Sequence, residues 1–487
     1  MDLSPLAILD AAAGYRGEIV DLDSARVISA DALRSGQDRL ARALRREGLA
    51  LGQRVIVAVA NGPEFFAALV AVLSVGGSPL LLHGKTPAAE LRRTALRYGA
   101  RLVLTNECPA ADLTAEGLPA NRLDGVDWIE LTVARVDPSL TGFNTQYADL
   151  PAVPLHPTSG TTGLPKVAVR PGRAATEEAR HYIETIGVTA EDTIAAVSPM
   201  CHAYAYGMCV MVPLLSSARV VSMRSFQASR VFQALTQERV SILPAVPAML
   251  DVMMFGAGDR LRGAVRTVLS AGSPLSERTA SRFHAKSGVV VRPLYGTTET
   301  GGITVALESD GQALGGCVGP AMRGVEAQVR PRPDAAEAPP GVGQLFIRSS
   351  SMMSGYLGED TIDMSPLDNG WFATGDLAKI DSAGRIHLMG READVINVEG
   401  LKVIPIEVEE VIAAMPGVLE VKVYAGRRAS GGQFIKAAVV LEAGFDAATI
   451  RAYCEKNLVY YKRPERILPL DSLPRSPAGK ILRDQLP

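Results

Sequence analysis

The chain has 487 residues, of which 47% are hydrophobic and 21% charged, and its formal net charge at pH 7 is −2. That length exceeds one compact domain, and the composition is that of a globular protein with two or three well-buried domains. The near-neutral charge and the 5% aromatic content argue against surfaces that bind nucleic acid or an anionic membrane.

The cysteines are scattered along the chain and never spaced C-x-x-C; they are Cys108, Cys201, Cys209, Cys317 and Cys454. This pattern predicts reduced thiols in a cytoplasmic protein, rather than a disulfide framework or a zinc site. The chain starts without a basic segment and a long apolar run, so we expect no signal peptide. No apolar stretch reaches the ~18–20 residues of a membrane helix, so we expect no membrane span.

Helical and strand patterns alternate over the first hundred residues. Leu33, Leu40 and Leu44 recur at helical spacing within a helix expected over 32–47, with Asp31 as its N-cap. Continuous apolar runs and helical segments follow in alternation at 55–59, 63–75, 79–82, 87–98 and 102–104. This β-α-β-α-β rhythm predicts a parallel sheet covered by helices.

The same alternation resumes after residue 166 and predicts a second α/β sheet. Its strands are expected at 167–169, 194–197, 220–223, 241–244, 265–269 and 289–294, and its helices at 174–186, 229–238 and 247–255. Shorter strands separated by turns follow from Gly319 and predict a small β-rich part. Beyond a boundary near Gly390, helices at 405–415 and 447–458 with strands at 419–425 and 435–441 predict a small α+β domain.

Residues 158–166 read TSGTTGLPK, a run of hydroxyl side chains around two glycines that ends on a lysine. Glycines allow backbone N–H groups to approach an anion closely, hydroxyls add donors, and Lys166 adds a compact positive charge. These properties suit a polyphosphate, although the spacing differs from that of the common P-loop. For such a stretch taken alone, a surface turn between two strands is the simpler interpretation.

Four further motifs carry polar groups, and each has a simple structural alternative. Thr298 and Glu299 in YGTTE suit a phosphate oxygen and Mg²⁺, or the first turn of a helix. Asp376 in WFATGD suits the two hydroxyls of a ribose, or a β-turn. Arg391 at the domain boundary suits a ribose or phosphate, or a surface ion pair. Lys480 in PAGKIL is, by itself, most simply a solvated lysine near the end of the chain.

Taken together and in this order, the motifs TSGTTGLPK, YGTTE, WFATGD, GRxxD and PxxPAGKIL resemble those of the adenylate-forming superfamily of acyl- and aryl-CoA synthetases, adenylation domains and luciferases. The resemblance covers nearly the whole chain. It implies an α/β fold whose large N-terminal domain, residues 1–390, holds two packed α/β sheets and a β-barrel-like subdomain. The small α+β domain, residues 391–487, would rotate between two half-reactions.

The resemblance also implies the chemistry and the residues that serve it. The carboxylate of a small acid would attack the α-phosphate of ATP and release pyrophosphate, and a thiol would then attack the acyl-adenylate. The positions that would bind ATP are Thr158, Ser159, Gly160, Thr161, Thr162, Gly163, Lys166, Tyr295, Gly296, Thr297, Asp376 and Arg391. The catalytic positions would be Lys480, Thr298, Glu299, which also holds Mg²⁺, and His202. Gly400 and Lys402 would border coenzyme A.

The positions that the resemblance assigns to the acid pocket are mostly apolar, which suits a hydrophobic acid. They are His202, Tyr204, Met208, Ala271, Gly272, Ser273, Gly302 and Ile303. No aspartate lies between 202 and 208, which disfavours an amino acid substrate. The sequence AYAYG there resembles that of benzoate-type ligases. We therefore favour an aromatic or cyclic acid as the substrate, with a medium-chain fatty acid as the second candidate. A lone histidine such as His202 is otherwise most simply a hydrogen-bonded residue at the edge of a core.

Ala393, Asn397 and the segment 424–433 depart from the usual pattern of the family, and all three serve the second half-reaction. We expect these changes to leave adenylation intact, whereas the sequence leaves open whether the thioester forms efficiently. An acid–CoA ligase is the favoured function. The alternatives are an adenylating enzyme that passes the acyl group to a carrier protein and a non-catalytic nucleotide-binding relative. The sequence leaves open whether the protein forms a homodimer.

Overall fold

The computed structural model describes residues 3–123, 128–137, 139, 152–158, 166–256, 265–307, 316–331, 340–358, 361–398, 401–428, 432–475 and 481–487. Its α-helices, in chain order, are α1 (Leu6–Gly14), α2 (Ala30–Arg46), α3 (Pro63–Val75), α4 (Ala88–Tyr98), α5 (Ala110–Ala115), α6 (Gly172–Ile186), α7 (Ala203–Tyr206), α8 (Val212–Ser216), α9 (Ala228–Gln237), α10 (Pro247–Gly256), α11 (Glu277–Ser287), α12 (Pro405–Ala413) and α13 (Ala447–Asn457). Within these ranges no helix is long and apolar enough to span a bilayer.

The strands fall into one group before residue 306 and a second after residue 316. The first group is β1 (Glu18–Asp21), β2 (Arg26–Ser29), β3 (Arg54–Ala58), β4 (Ser78–Leu81), β5 (Ala100–Thr105), β6 (Ala120–Arg122), β7 (Thr132–Arg135), β8 (Leu155–Pro157), β9 (Val167–Val169), β10 (Thr193–Ala196), β11 (Arg219–Ser222), β12 (Ile242–Ala245), β13 (Thr267–Ser270), β14 (Val291–Thr297) and β15 (Gly301–Val305). The second is β16 (Cys317–Pro320), β17 (Val325–Arg330), β18 (Gly343–Ser349), β19 (Gly355–Leu357), β20 (Ile362–Asp363), β21 (Leu367–Asp368), β22 (Trp371–Ile380), β23 (Arg385–Arg391), β24 (Ile396–Val398), β25 (Leu401–Val403), β26 (Val418–Arg427), β27 (Gln433–Leu441) and β28 (Arg466–Pro469).

The first sheet has the order β20-β19-β9-β8-β4-β3-β5-β7-β6, with β3 parallel to both β4 and β5. Val55 and Val57 of β3 face one hydrophobic core, whereas Ile56 and Ala58 face another. The apolar run at 55–59 is therefore a strand buried on both faces, as its composition predicted. The helix–strand alternation of this region is confirmed.

The second sheet has the order β15-β14-β13-β12-β10-β11-β1-β2, and its strands from β10 to β14 are parallel. One core fills the space between the two sheets and includes Phe65 and Phe66 of α3 together with Tyr206 and Met208. The second α/β sheet was thus predicted correctly. The contribution of β1 and β2 was not, because those short segments carry no distinct periodicity.

The antiparallel sheet β16-β23-β22-β18-β17 forms the barrel-like part and joins the second sheet through a bridge between Thr304 and Ala321. The C-terminal elements have a core of their own, which includes Ile396, Ile435 and Ile450. A large N-terminal part and a small C-terminal part are therefore present. The boundary at residue 390 stays a prediction.

Helix α2 begins two residues before the predicted start. The Ser29 side chain accepts a hydrogen bond from the N–H of Ala32 at 3.3 Å and is the N-cap. The prediction of Asp31 as N-cap was wrong, because Asp31 already lies in the first turn of the helix and pairs with Arg34. Ser29 ends β2 in an extended conformation, which is the backbone geometry that an N-cap requires.

Candidate functional site

The carboxyl ends of the parallel strands in the second sheet carry many of the predicted site residues. Ala271 follows β13 and donates its N–H to the carbonyl of Ala245, the last residue of β12, at 3.2 Å. Thr298 and Glu299 follow β14, and the segment from His202 follows β10. Open α/β sheets bind their ligands outside the carboxyl ends of the strands, so the topology places these residues where a site is expected.

The strands β8 and β9 hold the two ends of the TSGTTGLPK segment. The N–H of Thr158 donates to the carbonyl of Lys166 at 2.7 Å, and the Lys166 side chain is exposed. Its Nζ lies 4.8 Å from the centroid of the Tyr356 ring. The remaining predicted phosphate-binding residues, Ser159, Gly160, Thr161, Thr162 and Gly163, lie outside the described residues.

Tyr356 links this lysine to the predicted metal ligand. Its hydroxyl donates to Glu299 Oε1 at 2.7 Å, and the N–H of Met353 donates to the Glu299 carbonyl at 2.7 Å. Burial and the neighbouring Glu299 carboxylate raise the pKa of Tyr356, so the phenol stays protonated and acts as a donor. Sequence reasoning missed Tyr356, because a single tyrosine in a short strand has no local signature.

A second cluster joins Tyr295, Asp376 and Arg391. The Tyr295 hydroxyl donates to Asp376 Oδ2 at 2.5 Å, and Arg391 Nε lies 2.8 Å from Asp376 Oδ1. Asp376 and Arg391 are register partners on β22 and β23. Asp376 is only 7% exposed, and burial together with its carboxylate raises the pKa of Tyr295. Asp376 is therefore not a simple turn residue but a strand residue whose carboxylate is firmly oriented.

The backbone between β14 and β15 is unusually close-packed. The strand register shifts between Tyr295 and Gly296, and a Cβ at Gly296 would lie 2.4 Å from the carbonyl oxygen of Gly301. The hydroxyls of Thr297 and Thr300 lie 3.1 Å apart and stabilise the intervening turn. The structure thus gives the turn that carries Thr298 and Glu299 a defined conformation.

The residues predicted for the acid pocket fall into two groups. Met208 and Ile303 have 0% exposure and belong to the core between the sheets, and a Cβ at Gly302 would lie 2.3 Å from the Tyr182 hydroxyl. Burial raises the pKa of Tyr204. Among the rest, Ala271 is buried, Ser273 is half-buried and Gly272 is exposed with φ +84°.

His202 is an exposed residue just before α7, and its carbonyl accepts a hydrogen bond from the N–H of Tyr206 at 2.8 Å. Its ring centroid lies 6.4 Å from that of His83. Although the residue is exposed, the surrounding protein and the nearby His83 lower the pKa of His202. The imidazole is therefore neutral near pH 7 and able to accept a hydrogen bond.

Lys480 lies outside the described residues, but the structure describes Arg475 before it and Ile481 after it. An antiparallel bridge, Arg475–Ile481, brings the two sides of its loop together. Arg483 forms an ion pair with Asp394. Burial and the charge of Arg391 lower the pKa of Arg483.

The positions that depart from the family pattern also have contacts. The N–H of Asn397 donates to Gln433 Oε1 at 2.6 Å, so two of the departures touch each other. Ala393 lies in a 3₁₀ turn, where its neighbour Glu392 accepts from Gln344 Nε2 at 2.8 Å. Gly400 and the side chain of Lys402 lie outside the described residues.

Comparisons with known proteins agree with the geometry. A family model described as AMP-binding enzyme matches residues 10–357, and one described as AMP-binding enzyme C-terminal domain matches residues 407–480. The chain is 29% identical to the long-chain-fatty-acid–CoA ligase FadD13 of Mycobacterium tuberculosis, over 92% of this chain and 90% of that protein. It is 28% identical to the indoleacetate–CoA ligase of Aromatoleum aromaticum, with the same coverage. The ATP-bound crystal structure of MatB from Rhodopseudomonas palustris superposes with a TM-score of 0.82 at 26% identity, covering 99% of this chain and 98% of that one.

Proposed function

Because the chain belongs to the AMP-binding enzyme family and is an AMP-forming acid–thiol ligase, we propose that it activates a hydrophobic, aromatic or cyclic carboxylic acid with ATP and transfers the acyl group to coenzyme A. One observation carries the proposal. Lys166 lies over the ring of Tyr356, and Tyr356 donates to Glu299, so the predicted phosphate-binding and metal-binding elements meet at one side chain.

In the first half-reaction the acid's carboxylate attacks the α-phosphate of ATP, and the bond to pyrophosphate breaks. Lys166 and the hydroxyls of 158–162 neutralise and orient the β- and γ-phosphates, while Thr298 donates to the α-phosphate. Asp376 accepts from the ribose hydroxyls and Tyr295 packs beside the adenine. Lys480 bridges the two reacting groups. Such catalysis consists of positioning and charge neutralisation, without a protein nucleophile.

The donor set fits Mg²⁺. Within the described part of the chain, hydrogen bonds reach Glu299 Oε1 but not Oε2, and no group of three or more His, Cys, Asp or Glu side chains gathers to hold a metal. Mg²⁺ commonly takes one or two carboxylates and completes its shell with phosphate oxygens and water. When bound to Glu299, it would supply positive charge beside the departing pyrophosphate.

The acid is proposed from the pocket residues and from the relatives. Ala271 and Gly302 offer small surfaces, Tyr204 an aromatic one, and His202 a neutral imidazole that can accept a hydrogen bond. Relatives named for a long-chain fatty acid and for indoleacetate support an apolar acid, and indoleacetate supports an aromatic one. A fatty acid of medium length is the second candidate.

In the second half-reaction the thiol attacks the acyl carbonyl, the thioester forms and AMP leaves. Gly400 and Lys402 are proposed to border coenzyme A after the small domain has rotated. The departures at Ala393, Asn397 and 424–433 are the reason to retain a carrier protein as the alternative acceptor.

An acid panel in ATP–pyrophosphate exchange, followed by product analysis with and without coenzyme A, tests the proposal. Exchange with aromatic acids and formation of the acyl-CoA are expected. Exchange without thioester would reject the coenzyme A step and retain adenylation. ATP binding without exchange for any acid would leave a non-catalytic relative.

A further inference from the structure

A fully buried ion pair borders the turn that carries Glu299. Arg170 follows β9 directly, and its Nη2 donates to Glu178 Oε2 of α6 at 2.8 Å, with side-chain exposures of 0% and 1%. Nε and Nη1 of Arg170 have no hydrogen-bond partner among the described residues. Burying two charges costs free energy that their attraction repays only when the geometry is good and further hydrogen bonds form, so a buried pair is by itself weak evidence for a role in stability.

Glu178 holds the start of β15. Its Oε1 accepts from the N–H of Gly302 at 3.0 Å and from the Tyr182 hydroxyl at 3.2 Å. Both donors are buried, so the carboxylate satisfies groups that would otherwise be unpaired. The backbone of Gly302, a predicted pocket position, is thereby fixed to α6.

Arg170 reaches the same turn by a second route. Its Nη2 also donates to the carbonyl of Ser351 at 3.2 Å, and the Ser351 hydroxyl donates to the carbonyl of Thr300 at 2.8 Å. Thr300 is the residue after Glu299. The ion pair therefore connects β9, which begins one residue after Lys166, to Thr300 and Gly302 on the β15 side of the turn.

The lack of a side chain at three glycines leaves room for Glu178 and for its hydrogen-bond partner Tyr182. A Cβ at Gly207 would lie 2.9 Å from Glu178 Oε1, one at Gly301 would lie 2.8 Å from Glu178 Cδ, and one at Gly302 would lie 2.3 Å from the Tyr182 hydroxyl. A side chain at any of them would displace Glu178 or Tyr182. The chain thus forms a glycine-lined cradle around one carboxylate.

We infer that Glu178 and Arg170 are positioning residues that hold residues 300–302 against β9 and so set both the location of Glu299 and the floor of the acid pocket at Gly302. This inference rests on the proposed function. Neither residue touches the substrate; they act through the hydrogen bond to Gly302 and the Ser351–Thr300 link. A pocket floor held in this way would determine which acids fit.

Two double variants separate positioning from charge. Arg170→Met/Glu178→Met removes the ion pair and the acceptor for Gly302, whereas Arg170→Met/Glu178→Gln removes the ion pair but keeps an acceptor. The matched control is Arg266→Met/Asp192→Met, which removes a pair of 2.8 Å at the amino ends of β10 and β13, away from the site. All three are assayed by ATP–pyrophosphate exchange with a short and a long acid, below their measured melting temperatures.

The Met/Met variant is expected to lower kcat by about 10- to 100-fold and to change the ratio of kcat/KM between the two acids. The Met/Gln variant keeps the acceptor for Gly302 but loses the Arg170–Ser351 link, so its fall in kcat and its change in acid ratio should be smaller than those of the Met/Met variant. The control variant should stay within a few fold of the wild type in both quantities. A folded Met/Met variant with the wild-type kcat and acid ratio would overturn the inference, as would equal losses in the Met/Met and Met/Gln variants. Absence of exchange in the wild type would instead reject the proposed function itself.

Discussion

The carboxylate of Asp376 is almost closed to solvent and has Tyr295 on one oxygen and Arg391 on the other. Charge-assisted hydrogen bonds to such an acceptor are about twice as strong as neutral ones. We expect Asp376→Asn to raise the KM for ATP by about 10- to 100-fold, because the amide accepts through one oxygen only and carries no charge. Exchange rates over a range of ATP concentrations measure the change.

The matched control is Asp368→Asn. Asp368 ends β21 in the same antiparallel sheet, and its partner Arg330 lies 3.3 Å away in an exposed ion pair. Such pairs contribute little, so this variant should keep the wild-type KM. Equal KM values for Asp376→Asn and the wild type would contradict the assignment of Asp376 to the nucleotide.

Glu64, in the first turn of α3, makes the stability of the fold depend on pH. Burial raises its pKa from 4.5 to about 7. The folded state therefore binds this proton more tightly than the unfolded state, and its stabilising effect is complete below the unfolded pKa and lost as the pH rises through about 7. Relative to Glu64→Gln, the wild type should lose up to about 3 kcal/mol of unfolding free energy across this window.

Urea unfolding of the wild type and Glu64→Gln at several pH values between about 5 and 8 measures this difference. The difference between their unfolding free energies should widen as the pH rises, in favour of the glutamine variant. Two parallel curves would show that Glu64 ionises normally in the folded protein.

At the scale of elements, the close approach of β14 and β15 leaves no room for a side chain at Gly296. A methyl group there would meet the carbonyl of Gly301 at 2.4 Å, so one strand would have to move. We expect Gly296→Ala to destabilise the protein by about 1–3 kcal/mol and to lower the exchange rate, since the displaced strand leads into Thr298 and Glu299. Chemical denaturation and the exchange assay provide the two readouts.

Gly14→Ala provides the comparison for that substitution. Gly14 is the last residue of α1, and a Cβ there would meet no atom within 4 Å. Its stability should stay within about 0.5 kcal/mol of the wild type. Should Gly296→Ala behave in the same way, the packing argument would fail.

Helices and strands were predictable where the sequence pattern that indicates them lies within a few consecutive residues. The run at 55–59 shows burial on both faces, and Pro63 marks the first turn of α3, so the α/β architecture followed from periodicity and turn residues. Tyr356 and Glu178 were not predictable, because their roles depend on partners 57 and 124 residues away in sequence. Neither contact is indicated by the secondary-structure propensity of the residues or by their spacing along the chain.

At the scale of the whole molecule, both polar and apolar contacts among the described residues join the small C-terminal part to the rest. Arg278 reaches Glu442 at 3.4 Å across an exposed surface, and a small apolar cluster includes Leu377 and Ile404. An exposed ion pair and a small apolar cluster are contacts that the rotation implied by the family resemblance can break. The tail that carries Lys480 belongs to this part.

Lys480→Ala should therefore separate the two half-reactions. We expect adenylation to fall by about 10²- to 10³-fold, because the charge proposed to bridge the carboxylate and the α-phosphate is lost. Thioester formation from a supplied acyl-adenylate should continue near the wild-type rate. Single-turnover measurements of each half-reaction test this outcome, and equal losses in both would contradict the role given to Lys480.

Lys456→Ala is the control for that experiment. Lys456 lies in the last turn of α13, on the exposed side of the same small part. Both half-reactions should keep their wild-type rates, since removing a solvated charge there changes no contact with the site. A loss of adenylation in this variant would mean that any lysine of the small part has the same effect.

The ion pair between Asp376 and Arg391 couples the carboxylate proposed for the ribose to the last residue of β23, from which the chain passes into the small part. Thermodynamic reciprocity then holds between the two. If one orientation of the small part changes the affinity of Asp376 for a nucleotide by some factor, the bound nucleotide must change the preference for that orientation by the same factor. Nucleotide binding and the orientation of the small part are therefore linked in one coupled equilibrium.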